Sequence, residues 1–334
     1  MFLGPMLRQR KSLSEAIRAI TESEEFALMM LPHLTARALK NVGPDTKKLF
    51  FVHVPKASGT SLRLAIANLM GVPPLDYYER TSSSPAALLE PQPFQEFWPF
   101  VCGHLNLHEG PYRTHTVLTT VREPRSRYLS LFRQKTRLPY ATNPHLVAKL
   151  SGVEMRKRII RARRLEKNFS SWLDRVPPSH LAQFADPLSP VFHISEETFS
   201  GIGTQQGAKR KALALLIHSL SSADLRKVVR DASRKIDLVS WSDGESMAQL
   251  LSSALGKKVS ASDLPRDNDR TSYARPADIQ LSTRDLERLS ELSAPDLTFF
   301  SHLVDAGKLA PMSQGEANRE FENTARRLGF ILPN

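Results

Sequence analysis

The chain has 334 residues, 41% hydrophobic and 24% charged, a composition that excludes a mainly disordered protein and leaves room for one large domain with appendages or two small ones. Its 46 Lys and Arg against 34 Asp and Glu leave a formal charge of +12, which favours anionic partners: nucleic acid, a membrane surface, an anionic nucleotide or an acidic polymer. The single cysteine, Cys102, excludes intrachain disulfides and cysteine-rich zinc sites and fits a reducing cytoplasm, while no apolar run approaches the roughly 18 residues of a membrane span and the opening MFLGPMLRQRK is too briefly apolar for a secretory signal.

Residues 11 to 40 carry apolar side chains at helical spacing and predict two short helices separated near Pro32. NVGPDTKK then breaks the pattern, so residues 1–45 read as a helical N-terminal appendage and 46–334 as the main domain. LFFVHV is a continuous β-rich run, as expected of a strand buried on both faces, and SLRLAIANLM after it has helical periodicity ending at Gly71. The Pro- and Ser-rich stretch from Val72 to Pro93 predicts a loop. FWPFVCGHL predicts a second strand ending near His104, THTVLTTV a third, and the residues from about Arg125 to Lys135 a helix. Strands alternating with helices define an α/β class with a central parallel sheet flanked by helices. From Asn143 the pattern is mostly helical, with a largely helical region around 143–235, followed by a strand at IDLVSW and a helix from Glu245 to Leu255. LPRDNDRTSYARP reads as an irregular basic loop before two C-terminal helical stretches.

Two strand-to-helix turns carry the chemistry. In FVHVPKASGTSL, small residues at a helix start leave backbone N–H groups unpaired, which suits a phosphate or sulfate. Lys56 adds a full charge, Ser58, Thr60 and Ser61 add hydroxyls, and Gly59 lets the backbone approach an anion. The alternative is an ordinary helix start capped by Thr60 or Ser61. The lysine precedes the glycine by three residues, unlike a Walker A loop. In TVREPRSRYLSLFRQ, Arg122 follows a buried strand and Ser130 comes two helical turns later, where a guanidinium fork and a hydroxyl can both donate to a second phosphate. Arg125, Arg127 and Arg133 read as the exposed face of a solvated basic helix.

These two motifs together resemble the 5′-phosphosulfate and 3′-phosphate signatures of sulfotransferases that use 3′-phosphoadenosine 5′-phosphosulfate (PAPS), most closely the carbohydrate branch of heparan and chondroitin type. Ala57, Ser58 and Glu123 depart from the commoner forms. The resemblance implies a P-loop-like three-layer core in which Lys56 contacts the phosphosulfate, Ser58, Gly59, Thr60 and Ser61 cradle it, and Arg122 and Ser130 hold the 3′-phosphate. It also implies that Arg270 and Thr271, in LPRDNDRTSYA, contact the nucleotide. A proton must leave the acceptor hydroxyl, and His104, just beyond a strand end where α/β sheets place ligands, resembles the family's glycine-histidine base, with His108 as competitor and His53 as a structural residue. The implied reaction moves a sulfuryl group from PAPS to a carbohydrate or other hydroxyl acceptor, without a metal. The cationic run EMRKRIIRARRLEK reads either as a solvated helix face or as a platform for an acidic acceptor. The rival readings are a P-loop small-molecule kinase, weakened by the missing GK[ST], and a nucleic-acid-binding protein, for which no recognised module is present.

Overall fold

The computed structural model describes residues 46–72, 74–77, 98–136, 168–201, 206–265 and 278–333, with single residues at 96, 153, 157 and 160. The expected N-terminal helices, the basic run from Glu154 to Lys167, and Arg270 and Thr271 lie outside the described residues, apart from the helical positions Lys157 and Ile160.

Five parallel strands form the main sheet: β1 (Leu49–Val52), β2 (Leu75–Tyr77), β3 (Phe100–Gly103), β4 (Thr116–Val121) and β5 (Leu238–Trp241), in the order β2-β3-β1-β4-β5. Central β1 pairs Leu49 with Phe100 on one side and with Thr116 on the other. Its LFFV run is wholly buried because both faces are covered. Leu49 and Phe51 pack with Phe100, Cys102 and Leu118 against α1 (Gly59–Met70) and α8 (Gly244–Leu255). Phe50 and Val52 face the larger layer, where α2 (Pro124–Thr136) contributes Tyr128, Leu129 and Phe132. The same layer holds α3 (Phe169–Leu173), the one-turn α4 (Leu181–Phe184), α6 (Gln206–Ser219), α7 (Ser222–Arg234) and the long α9 (Thr283–Asp305). Between α4 and α6 lies α5 (Glu196–Gly201), and α10 (Gln314–Arg327) packs against α2. This is the expected α/β architecture, with helices on both faces of a parallel sheet.

Helix ends follow the local chemistry. Gly71 closes α1 in the left-handed conformation, and Ser282 with Asp285 forms a reciprocal capping box at the start of α9. Glu123 caps α2: its carboxylate accepts from the Ser126 amide at 2.6 Å and from Arg125 Nε at 2.7 Å, with Pro124 at the first helical position.

Two expectations are corrected, and one element that the sequence reading did not include is added. The Val72–Pro93 stretch contains β2, which at three residues is too short to show periodicity in the sequence. A second, two-stranded parallel sheet, β6 (Ile279–Gln280) with β7 (Phe330–Ile331), joins the C-terminus to the start of α9. Of the three arginines expected on a solvated face, Arg127 and Arg133 are each only 2% exposed. Arg133 donates to the carbonyls of Leu328 (2.7 Å) and Gly329 (2.9 Å) and lies over the Phe330 ring, so it fastens α2 to β7. Buried carbonyls without helical partners need donors, and a guanidinium supplies several from one side chain.

Candidate active site

In this strand order the connections from β1 and from β4 lead in opposite directions across the sheet, so the gap between their carboxyl ends is the topological switch point. Both motif turns end there.

The first turn is left-handed at Lys56 (φ 70°) and again at Ser58 (φ 57°), but not at Ala57 between them. Alternation of this kind is how backbone amides are gathered into an anion-binding concavity, and non-glycine residues hold it only when their surroundings fix them. Three contacts do so. Thr120 Oγ1, from the end of β4, donates to the Ala57 carbonyl. Ser58 Oγ donates to the Ser242 carbonyl after β5 at 3.0 Å. Arg127 Nε donates to the Pro55 carbonyl at 3.0 Å, while its Nη1 reaches the Pro178 carbonyl at 2.7 Å. Ser58, rather than Thr60 or Ser61, takes the cap position of α1, and its hydroxyl makes no capping bond. The amides of Gly59, Thr60 and Ser61 meet no acceptor among the described residues, so the helix start offers its donors at this edge.

Gly59 is required on steric grounds. A Cβ there would come within 1.8 Å of the His53 ring. That ring stacks on Phe51 at 5.6 Å and meets the His104 ring at 4.5 Å between centroids. His53, read from the sequence as structural, is thus packed between the phosphate-type turn and the candidate base. Burial, and then His104, Arg63, Lys56 and Arg210, hold its pKa well below the usual imidazole value.

His104 follows β3 directly. Burial, followed by the charges of Arg210, Lys56 and Arg127, lowers its pKa to about 3. It is therefore neutral at pH 7 and able to accept a proton. His108 belongs to a separate cluster: Nδ1 lies 3.4 Å from Asp186, and the ring packs on Tyr112. His108, Asp186 and Asp231 bring potential ligand atoms within 4.8 Å of one another, but Lys235 Nζ sits 2.8 Å from Asp231 and 3.8 Å from Asp186 and already places one cation against the carboxylates.

In the second turn Arg122 faces α10. Its Nε donates to Glu320 at 2.9 Å and its Nη2 to Thr324 Oγ1 at 2.6 Å. Ser130 is half-buried on α2 and shares none of these partners. The Arg122 amide donates to His180 Nε2 at 3.3 Å, and His180 Nδ1 donates to Asp296 at 2.8 Å. Accepting on one nitrogen and donating from the other makes this histidine neutral, consistent with a pKa lowered to about 4 by burial and then by Arg127. Asp296 also accepts the amides of His180 and Leu181, both at 2.9 Å, at the start of α4. Burial alone would raise its pKa; His180, its hydrogen bonds and Arg127 outweigh that and hold the carboxyl ionised.

Arg127, Arg210, His180, Asp296 and Glu320 are the residues the motifs did not point to. Two had a signal. Arg210 precedes the buried Leu213, Ala214 and Ile217 by three, four and seven positions, and Asp296 falls within the buried series Leu289, Leu292, Ser293, Phe299, Phe300 and Leu303, so each is a charge on an apolar helix stripe. Comparison with known proteins gives no match to a family model, a curated protein or a solved structure.

Proposed function

We propose that the protein is a PAPS-dependent sulfotransferase that moves a sulfuryl group to an acceptor hydroxyl, on a carbohydrate or a comparable alcohol, with His104 as base and a P-loop-like core as its nucleotide site. The observation that carries this reading is the meeting of both motif turns at the β1/β4 switch point, joined by the Thr120 and Arg127 hydrogen bonds, with His104 close enough to feel Lys56 and Arg127.

The donor's 5′-phosphosulfate would lie against the Gly59, Thr60 and Ser61 amides and the Thr60 hydroxyl, with Lys56 at the bridging oxygen, while Ser58, whose hydroxyl donates to the Ser242 carbonyl, would shape the turn. The acceptor oxygen attacks sulfur in line, its proton passes to His104, and the bond from sulfur to the bridging phosphate oxygen breaks. Adenosine 3′,5′-bisphosphate leaves with the electron pair, which Lys56 stabilises. A histidine with pKa near 3 is a weak base. Burial is the larger cause of that depression and the neighbouring cations the smaller; the donor's negative charge would offset the cations' part, so basicity would rise when the donor is in place.

The test is transfer from labelled PAPS to a panel of glycans and simple alcohols, run beside thermal shift. Adenosine 3′,5′-bisphosphate should stabilise the protein, by about 2.7 kcal/mol at a hundredfold excess over Kd, and ATP with magnesium should not. His104→Ala should abolish transfer while leaving nucleotide affinity near wild type. Near-normal turnover in that variant would remove His104 from the mechanism, and stabilisation by ATP with magnesium alone would favour the kinase.

A further inference from the structure

Lys56 has a left-handed backbone (φ 70°), which a residue with a side chain keeps only where its neighbours fix it. The two peptide groups that flank it are both fastened by the second motif. The Pro55 carbonyl, before Lys56, accepts from Arg127 Nε at 3.0 Å, and the Ala57 carbonyl, after it, accepts from Thr120 Oγ1. Thr120 stands near the end of β4, just before Arg122, and Arg127 lies in the first turn of α2, just after it. The guanidinium of Arg127 also donates from Nη1 to the Pro178 carbonyl at 2.7 Å. Pro178 leads into His180, whose Nε2 accepts the Arg122 amide at 3.3 Å. One side chain, only 2% exposed, therefore ties the turn of Lys56 to the segment that orients Arg122. Nε and Nη1 sit in one rigid plane and so set the spacing of the two carbonyls; an ammonium on a flexible stem sets no such spacing.

We infer that Arg127 and Thr120 are positioning residues that couple the two anion grips: they hold the Lys56 and Arg122 turns at one separation, and so favour a nucleotide with phosphates at both ends over one with a single phosphate. This rests on the sulfuryl-transfer reading above. The coupling is a matter of preorganisation. With the clamp intact, a ligand has no need to order either turn. Without it, a monophosphate must order one turn, whereas a bisphosphate must order both and their relative placement, and so loses more affinity.

The test is calorimetric titration of the full chain with adenosine 3′,5′-bisphosphate, adenosine 5′-monophosphate and adenosine 3′-monophosphate. Wild type is compared with Arg127→Lys, Thr120→Val and Thr120→Ser. Wild type should bind the bisphosphate tighter than either monophosphate. Arg127→Lys and Thr120→Val should each cut that preference about tenfold, equivalent to about 1.4 kcal/mol, and change the monophosphate affinities by less than about threefold. Thr120→Ser, which keeps the hydroxyl, should restore it. If Arg127→Lys does not fold, the Thr120 pair carries the test. A preference left intact by either folded variant would overturn the coupling, even where all three nucleotides weaken together, because that is what a merely structural tie does. A preference that Thr120→Val removes and Thr120→Ser does not restore would overturn it as well. A wild type that binds the bisphosphate no better than the monophosphates would refute the transfer reading, and the coupling with it. A normal wild-type preference that the variants do not move would refute the coupling alone.

Discussion

Gly59 shows what one missing Cβ does at this site. Two aromatic-sized rings, His53 and His104, occupy the space between the first turn and the end of β3, and the glycine is what allows the first of them to fit. The permissive residue in the motif therefore serves ring packing as well as close approach of an anion to the backbone. Gly59→Ala should push His53 from its place, cost about 1–3 kcal/mol as overpacking of a tight site does, and weaken adenosine 3′,5′-bisphosphate binding. Denaturant midpoints and calorimetry on the same variant measure both effects; wild-type stability would mean the ring relaxes without cost. Arg127 makes the same point from the other direction. A sequence pattern assigned it to solvent, but in a helix buried on most of its circumference, periodicity no longer separates inside from outside.

At the scale of elements, α10 and the end of β4 are held together by an ion pair. Glu320 occupies Arg122, and Arg125 reaches the same helix through Asn318 at 3.0 Å and lies over Phe321. If Arg122 is the 3′-phosphate ligand, the phosphate must compete with this carboxylate. Glu320→Gln should then tighten adenosine 3′,5′-bisphosphate binding several-fold, since a partly exposed pair of this kind is worth about 0.2–1 kcal/mol, while Arg122→Ala weakens it by tenfold or more, in line with loss of a charge-assisted contact. Isothermal titration of both variants decides the matter, and unchanged affinity in both would place the 3′-phosphate elsewhere. The His180–Asp296 pair acts on the other side of Arg122, fixing its backbone from a helix more than a hundred residues away.

At the scale of the whole molecule, buried neutral histidines set a pH dependence. His104, His115 and His180 have folded pKa values lowered to about 3, about 4 and about 4, against a usual 6.5, with burial the main cause for each. Between about pH 6.5 and 4 the unfolded chain binds these protons and the folded chain does not. Stability is therefore complete above pH 6.5 and falls as pH drops through that window, by about 1.4 kcal/mol per pH unit for each histidine that stays neutral in the fold. Urea unfolding at pH 7, 6 and 5 should show this decline, and a flat profile would mean that these rings become charged without leaving their sites.

The α/β class, four of the five strands of the main sheet and both turns were legible in the sequence because they rest on local physics. Runs such as LFFV are buried whatever their neighbours, and a lysine or arginine directly after such a run must lie at a sheet edge. Lys56 and Arg122 were read on that ground, and His104 from its place just beyond a strand end together with the family resemblance. The rest depends on which edges meet. Only the strand order β2-β3-β1-β4-β5 makes the β1 and β4 ends adjacent, and only packing between distant helices brings Asp296 to His180, Glu320 to Arg122 and Arg210 toward His104. The sequence by itself determined where charge enters the fold, since burial and chain spacing are local properties. The tertiary structure alone decided which charges face one another, because a charge in a shielded interior is set by its partners in space and not by its neighbours along the chain.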